Sequence, residues 1–556
     1  MRSWNCVVLF LVMVTFYNCS KHSSGGSPPP PPSNFISNDV KLNGQAVNSS
    51  NYNTNLNPVI KFYFSTAINR NSVNAAISFQ DKSGTVVPYT VSYENSDNVV
   101  VIQPSNNLSY LTRYTVAVST SLKSTAGGNL TTGVDVNLIT KIDSSRKFPI
   151  VSDSALLDLI QRQTFKYFWD FGHPTSGMAR ERSNGDNNVV TTGGTGFGIM
   201  AIPVAVNRNF ITRTEGVNRV QKIVSFLKSN APNFHGAFSH WMNGSTGAVV
   251  PFAANDDGAD IVETSYLMMG LLTARQYFNG LDASETTLRA DINSLWNAVD
   301  WDWFRQGGKN VLYWNWSPNF GWAVNVPVQG WNETLITYVL AASSMTHAIP
   351  KAVYDSGFAR NGAMRNGNTY YSYTLPLGEP YGGPLFFEHY SFLGINPNGL
   401  NDAYANYQIQ TVNHTKINYE YCKANPKQYF GYSDSCWGLT ASDIENGYTA
   451  SSPTNDVGVI APTAAVSSIP YTPTESMKAL KFFYYVLGDR LWGEYGFKDA
   501  FSLHKLWFAN SYLAIDEGPI IGMIENHRSG LLWSLFLSCA EVKNGMKNLG
   551  FTAPYL

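Results

Sequence analysis

Carboxylates crowd one short stretch of this chain, Asn255-Asp256-Asp257-Gly258-Ala259-Asp260-Ile261-Val262-Glu263-Thr264. It follows a polar turn and runs into an apolar segment that reaches about Phe278, so the acids stand where a buried helix begins. If that helix starts near Gly258, Asp260 and Glu263 are spaced i, i+3 and share a face, with Asp256 or Asp257 close to the same end. Such a group can give and take protons. It also has a structural reading, because Asp is a favoured cap and first-turn acids suit the helix dipole. Glu263 resists that reading. It lies a turn inside, ahead of Tyr266, Leu267, Met268, Leu271 and Leu272, where partial desolvation would raise a carboxyl pKa into the range of a proton donor or base.

Two further stretches repeat the situation. Gln329-Gly330-Trp331-Asn332-Glu333-Thr334 places an acid before the apolar run Leu335 to Ala342, and Ile515-Asp516-Glu517-Gly518-Pro519 reads as a loop able to point acids into a cleft. Aromatic residues cluster with polar ones in Asp300-Trp301-Asp302-Trp303 and Tyr313-Trp314-Asn315-Trp316, as a saccharide cleft requires. Other chemistries lack their signatures. The glycine-rich Thr191 to Gly198 has neither the Walker lysine nor Rossmann spacing, no Gly-x-Ser-x-Gly elbow occurs, and His240-Trp241 and Glu388-His389 lack metal-ligand spacing. No metal and no cofactor are expected.

The elements that must position these acids are helical. From residue 153 the pattern predicts a helix bearing Leu156, Leu157, Ile160, Phe165 and Trp169, then helices over 196–207, 215–230, 260–278, 284–299, 332–346, 400–421, 474–487 and 528–542. Mostly apolar helices joined by long aromatic loops suggest an α/α toroid with its site among the loops at one end. Residues 35–142 differ. Short alternating runs at 58–64, 86–93, 98–102, 114–118 and 134–139 indicate a small all-β sandwich, with 143–152 as linker. Ahead of it, Arg2, the apolar run Val7 to Phe16 and Cys19 read as a signal over 1–18, and 19–34 as a Ser/Gly/Pro tether.

A net charge of −1 with only 14% charged residues argues against nucleic acid, whereas 14% aromatic residues suit flat sugar rings. Cys422, Cys436 and Cys539 are too few for a disulfide scaffold; Cys422 and Cys436 could pair in an oxidising compartment.

Several ordered motifs carry a family resemblance: Gly196-Phe197-Gly198-Ile199-Met200-Ala201, Asp260-Ile261-Val262-Glu263-Thr264, Gly330-Trp331-Asn332-Glu333, and Ile515-Asp516-Glu517-Gly518-Pro519 with Ile524-Glu525-Asn526-His527-Arg528. From about Asp153 to the C-terminus they resemble the bacterial glucoamylase-like domain that includes the β-1,2-glucanases of glycoside hydrolase family 144. Ile60-Lys61-Phe62-Tyr63-Phe64 and Leu111-Thr112-Arg113-Tyr114 resemble bacterial Ig-like domains, and Cys19 resembles a lipidated lipoprotein cysteine, although Phe16-Tyr17-Asn18 lacks the usual small residue before it.

The resemblance implies an (α/α)6 barrel over 153–556 that hydrolyses β-1,2-glucan or sophoro-oligosaccharides with inversion. Glu333 matches the family's acid candidate, and Asp256, Asp260 and Glu263 its other essential acids. Glu517 stands where the family often carries Gln, which makes Asp516 the member of that pair implied near substrate. Arg180, Arg182, His240, Trp241, Tyr266, Trp316 and Trp331 are further sugar-contact candidates. Inverting hydrolysis needs an acid and a water-activating carboxylate roughly 6.5–9.5 Å apart; the base is left open among Asp256, Asp260 and Glu263. Alternatives are a hydrolase of a β-1,3- or α-linked glucan, a polysaccharide lyase, or a non-catalytic glycan-binding lipoprotein. The expected setting is a monomer on the bacterial outer membrane, periplasmic or surface-facing, meeting the membrane only through a lipid on Cys19.

Overall fold

The computed structural model describes residues 31–556. The predicted signal, Cys19 and most of the tether lie outside the described residues. The chain divides into two compact units, one ending at Lys141 and the other running from Ile142 to Leu556.

The first unit is a two-sheet sandwich of strands β1 (Ser37–Leu42), β2 (Gln45–Ala46), β3 (Asn51–Thr54), β4 (Ile60–Phe64), β5 (Ile77–Asp81), β6 (Tyr89–Glu94), β7 (Val99–Pro104), β8 (Arg113–Val118) and β9 (Val134–Thr140). The sheets have the orders β2-β1-β4-β7-β6 and β3-β9-β8-β5, antiparallel throughout except for β3 with β9. Period-two burial builds the core: Ile60, Phe62 and Phe64 face inward from β4, and Tyr114, Val116 and Val118 from β8. Strands β1, β2, β3 and β5 fall outside the runs expected from sequence. β1 and β3, Ser-Asn-Asp-Val-Lys-Leu and Asn-Tyr-Asn-Thr, carry little apolar signal, and β3 and β5 are edge strands.

In the second unit outer and inner elements alternate along the chain. Helices α1 (Asp153–Trp169), α3 (Arg213–Ser229), α5 (Ala283–Ala298), α7 (Tyr407–Ala424) and α9 (Pro473–Tyr485) keep one exposed face. Between them come α2 (Thr192–Asn207), α4 (Ile261–Tyr277), α6 (Leu335–Ser343), α8 (Pro462–Val466) and α10 (Ala514–Arg528), each buried on nearly every face. The remaining pair of the (α/α)6 barrel is made of shorter turns, Tyr354–Phe358 outside and Leu385–Glu388 with Ser391–Leu393 inside. Helices α11 (Leu531–Phe536) and α12 (Ala540–Leu549) complete the unit, α12 packing on α6.

Local chemistry sets the helix ends. Ser152 caps α1 through Ala155 N–H, and Thr212 with Glu215 forms a reciprocal capping box on α3. The helix expected over 528–542 is broken: α10 stops at Arg528, Gly530 sits left-handed at φ +69°, and α11 and α12 are separate. The Asp516-Glu517-Gly518-Pro519 segment, expected as a loop, is the start of α10. A Cβ on Gly518 would lie 2.4 Å from Phe197 Cβ, so this glycine permits close packing on α2 rather than a turn. Burial on all sides of α10 outweighs the single backbone bond that Pro519 removes. Helix α2 likewise starts at Thr192, earlier than expected, with its glycines inside the helix.

Candidate active site

The starts of α4, α6 and α10 carry buried or partly buried acids, which gather with side chains of neighbouring segments in two groups.

The first group surrounds the start of α4. The helix begins at Ile261, so Asp260 is its cap: Oδ1 accepts from Val262 N–H at 3.0 Å and Glu263 N–H at 2.9 Å. Its Oδ2 accepts from Trp314 Nε1 at 3.2 Å and meets His240 Nδ1 at 2.9 Å. Capping and site chemistry therefore use different oxygens of one carboxylate. Glu263 Oε2 accepts from Gly193 N–H at 2.7 Å and Thr191 Oγ1 at 3.4 Å, while Oε1 lies 4.0 Å from His240 Nε2. Burial raises the Glu263 pKa, and the Asp260 charge adds to that against the pull of His240. Asp256 is also pushed up, to about 6, by burial and by Asp260, though Asn315 Nδ2 donates to both its oxygens at 3.1 Å. Burial alone would lower His240; the Glu263 carboxylate and the bond to Asp260 win and bring it to about 9, so it is imidazolium at neutral pH. Asp257 has another job, bonding Ser317 and Asn319 in the neighbouring loop.

Glu333 stands just before α6, partly buried. Burial lifts its carboxyl to about 7, with Glu263 and Asp260 adding repulsion. Its main chain is fixed by Ser391, whose hydroxyl donates to Glu333 O and accepts from Ile336 N–H at 3.0 Å. Tyr266, one turn into α4, has a buried hydroxyl without a hydrogen-bond partner, and its phenol is pushed well up by burial, Glu333 and Glu263.

The second group lies at the start of α10. Arg182 bridges Glu181 at 3.0 Å and Asp443 at 3.1 Å, and the Asp443 N–H donates to Asp499 Oδ2 at 2.7 Å. Asp499 is raised to about 7 by burial and Asp443; Asp516 is driven well up by burial and by Asp499, to which it is hydrogen-bonded. Glu517 Oε2 is buried without a hydrogen-bond partner.

Of the residues singled out from sequence, the fold brings together Asp256, Asp260, Glu263, His240, Tyr266 and Glu333, with Trp241 and Trp316 alongside. Trp241 packs against Phe252, which stacks on His240 at 4.0 Å, and Trp316 adjoins Asn315 and packs against His235. Asp516 and Arg182 belong to the second group. Arg180 and Trp331 turn elsewhere. The Arg180 guanidinium donates to the carbonyls of Asn187 and Phe171, and Trp331 is buried, donating to Glu388 Oε1 at 3.2 Å. Glu388 itself pairs with His414 at 2.8 Å in the core, and Cys422 and Cys436 are buried free thiols. Sequence reading placed Asn315 in an aromatic–polar cluster without giving it a role, and missed Ser391, Glu181, Asp443, Tyr448 and Asp499. Asp443 and Asp499 sit in Ala441-Ser442-Asp443-Ile444 and Phe497-Lys498-Asp499-Ala500, where no local acid spacing marks them.

An (α/α)6 barrel with carboxyls of raised pKa at the starts of its inner helices is thus defined by geometry. Comparison with known proteins gives the same architecture. A family model described as "Putative glucoamylase" matches residues 325–540, and a "Bacterial Ig-like domain" model matches 40–139. The solved endo-β-1,2-glucanase from Chitinophaga pinensis, in complex with sophorotriose and glucose, is 50% identical with a TM-score of 0.72, the match covering 73% of this chain and 100% of that one. A β-1,2-glucanase from Parabacteroides distasonis is 38% identical with a TM-score of 0.70, covering 94% of this chain and 74% of the other. The curated exo β-1,2-glucooligosaccharide sophorohydrolase (non-reducing end) of the same organism is 45% identical over 427 residues, 73% of this chain and 59% of its own length, so the match spans about three fifths of that relative. The chain belongs to the bacterial glucoamylase-like family that includes the β-1,2-glucanases of glycoside hydrolase family 144.

Proposed function

We propose that the protein is a glycoside hydrolase that cleaves β-1,2-glucan or sophoro-oligosaccharides with inversion, Glu333 acting as general acid. The observation that carries this reading is the pairing of a carboxyl lifted to about 7 at the start of α6 with a more acidic one, Asp256 at about 6, in the group at the start of α4. Near neutral pH the first still holds a proton while the second has lost its own, which is the division of labour that acid–base cleavage of an acetal needs.

Glu333 gives its proton to the leaving glycosidic oxygen as the C–O bond breaks, and water attacks the anomeric carbon from the opposite face. The proton of that water goes to a carboxylate of the Asp256, Asp260 and Glu263 group. Asp260 has both oxygens committed to Val262, Glu263, His240 and Trp314, which makes it the orienting member and leaves Asp256 or Glu263 to take the proton, directly or through a second water. The His240 imidazolium favours the ionised forms of this group.

The test is product analysis with linear β-1,2-glucan, alongside β-1,3-glucan and starch. Sophoro-oligosaccharides from β-1,2-glucan alone, released initially as the α-anomer, and loss of turnover in Glu333→Gln with the fold intact are the expected results. Cleavage of only the other glucans, or full activity in Glu333→Gln, would defeat the reading.

Cys19 carries the lipid in this proposal, holding a monomer on the outer membrane, facing the periplasm or the surface. Cys19→Ala should move the protein from the membrane to the soluble fraction, and light scattering should give the mass of a single chain.

A further inference from the structure

The acid Glu388 takes no part in the chemistry assigned above, yet it grips the segment that carries Glu333. It closes the inner turn Leu385–Glu388 and is fully buried. One oxygen, Oε1, accepts from Gln410 Nε2 at 2.8 Å and Trp331 Nε1 at 3.2 Å, and meets His414 Nδ1 at 2.8 Å. The Gln410 amide is oriented by Leu377 N–H, which donates to its Oε1 at 2.8 Å, so its nitrogen faces Glu388. The other nitrogen of His414 lies 3.0 Å from Gly383 O. With two N–H groups already on Oε1, both His414 nitrogens face acceptors, an arrangement that calls for a proton on each and makes the pair imidazolium and carboxylate.

Desolvation offsets most of the attraction within a buried ion pair, so stability alone does not account for a carboxylate in this wall. What Glu388 supplies is a charge-assisted hydrogen bond to the Trp331 indole, which packs against Phe358, Phe392 and Tyr407 and needs an acceptor for its N–H. That bond fixes the ring and with it the main chain two residues ahead of Glu333. The same inner segment takes hold again downstream, where the Ser391 hydroxyl donates to Glu333 O and accepts from Ile336 N–H at 3.0 Å. The main chain bearing Glu333 is thus clamped on both sides. The Glu333 carboxyl is hydrogen-bonded to its own backbone N–H, so where it points follows from where that main chain is held.

We propose that Glu388, paired with His414, is a positioning residue for the general acid, acting through the Trp331 indole to set where Glu333 meets the leaving glycosidic oxygen. The assignment rests on the reading of Glu333 as general acid. It gives Trp331 a task other than sugar contact: in Gly330-Trp331-Asn332-Glu333 the indole anchors the segment that presents the acid. Proton transfer is sensitive to such anchoring, since a misplacement of about 1 Å can cost about a hundredfold in rate.

Steady-state kinetics on β-1,2-glucan with a double-mutant cycle test it. Trp331→Phe keeps a ring and removes the N–H; it should lower kcat by about tenfold to a hundredfold and change KM by less than about twofold. Glu388→Ala should lose as much, while Glu388→Gln, which keeps an oxygen for the indole, should recover most of kcat. Combining Glu388→Ala with Trp331→Phe should be no slower than Trp331→Phe alone, because both break the same link. An unchanged kcat in Trp331→Phe, a loss confined to KM, or losses that multiply in the double variant would overturn the positioning role. Full activity in Glu333→Gln would instead strike at the acid assignment. In that case, or where Glu388→Ala fails to fold, a crystal structure of Trp331→Phe decides: a Glu333 carboxyl displaced by about 1 Å is the expected result, and an unmoved one overturns the clamp.

Discussion

The backbone N–H of Gly193 donates to Glu263 Oε2 at 2.7 Å, so the first turn of one inner helix holds the carboxylate in the first turn of the next. This contact ties the α2 start to the acid group and leaves no room for a side chain. A Cβ on Gly193 would lie 2.5 Å from Glu263 Oε2 and 2.8 Å from Tyr266 Cδ2. Gly193→Ala should therefore displace Glu263, cut kcat at least tenfold and destabilise the fold by about 1–3 kcal/mol. Unchanged kcat with an unchanged melting temperature would show that α2 can move aside freely.

The proposed acid and base give the pH–rate profile a definite shape. Activity should rise as Asp256 ionises around 6 and fall as Glu333 loses its proton around 7, a narrow bell in kcat/KM. Asp256→Asn should abolish the rising limb along with most activity if Asp256 is the base. A flat profile across that range would exclude this pair.

Glu333 should also lower stability where it is ionised. Its folded pKa of about 7 exceeds the ordinary 4.5, so the folded state holds the proton longer than the unfolded state does. Stability therefore declines as pH rises from about 4.5 to about 7, and the penalty is complete above that. Glu333→Gln should be more stable than wild type by roughly 1–3 kcal/mol at pH 8, with the gain vanishing at about pH 4. Denaturant titrations at the two pH values measure the difference.

His240 has the opposite linkage. Its folded pKa of about 9 lies above the ordinary 6.5, so its interaction with the acid group stabilises the fold fully below 6.5 and is lost as pH rises through 9. His240→Gln should lose stability at pH 6 but little at pH 10, and its rising activity limb should shift upward because the imidazolium no longer lowers Asp256. The same stability loss at both pH values would assign His240 a packing role.

Asp260 separates capping from chemistry. At about pH 10, where His240 is mostly neutral, Asp260→Asn keeps an oxygen for Val262 and Glu263 N–H and should cost less than about 1 kcal/mol, whereas Asp260→Ala removes the cap and should cost about 0.5–2 kcal/mol. Both should lower kcat, since each disturbs the His240 contact. Thermal melts beside kcat resolve the two effects.

Local pattern made much of this legible. Apolar runs without a polar face marked α4 and α6 as buried helices, and Glu263 and Glu333 stood out because each acid adjoins such a run. Alternation marked β4 and β8. The pattern failed where tertiary packing overrides local preference: Gly518-Pro519 reads as a turn, yet lies inside α10 because Phe197 of α2 demands a residue without a side chain there.

The sequence by itself determined which elements are buried and which acids sit at their starts, because helix periodicity and capping are properties of neighbouring residues. Only the tertiary structure decided which acids meet. Asp443 and Asp499 meet across 56 positions of chain, Asp516 joins them from the start of α10, and Arg182 reaches Asp443 across 261 positions. The Asp499 and Asp516 carboxyls are shifted upward by burial and by the neighbouring carboxylates, both of which depend on distances through space that spacing along the chain does not encode.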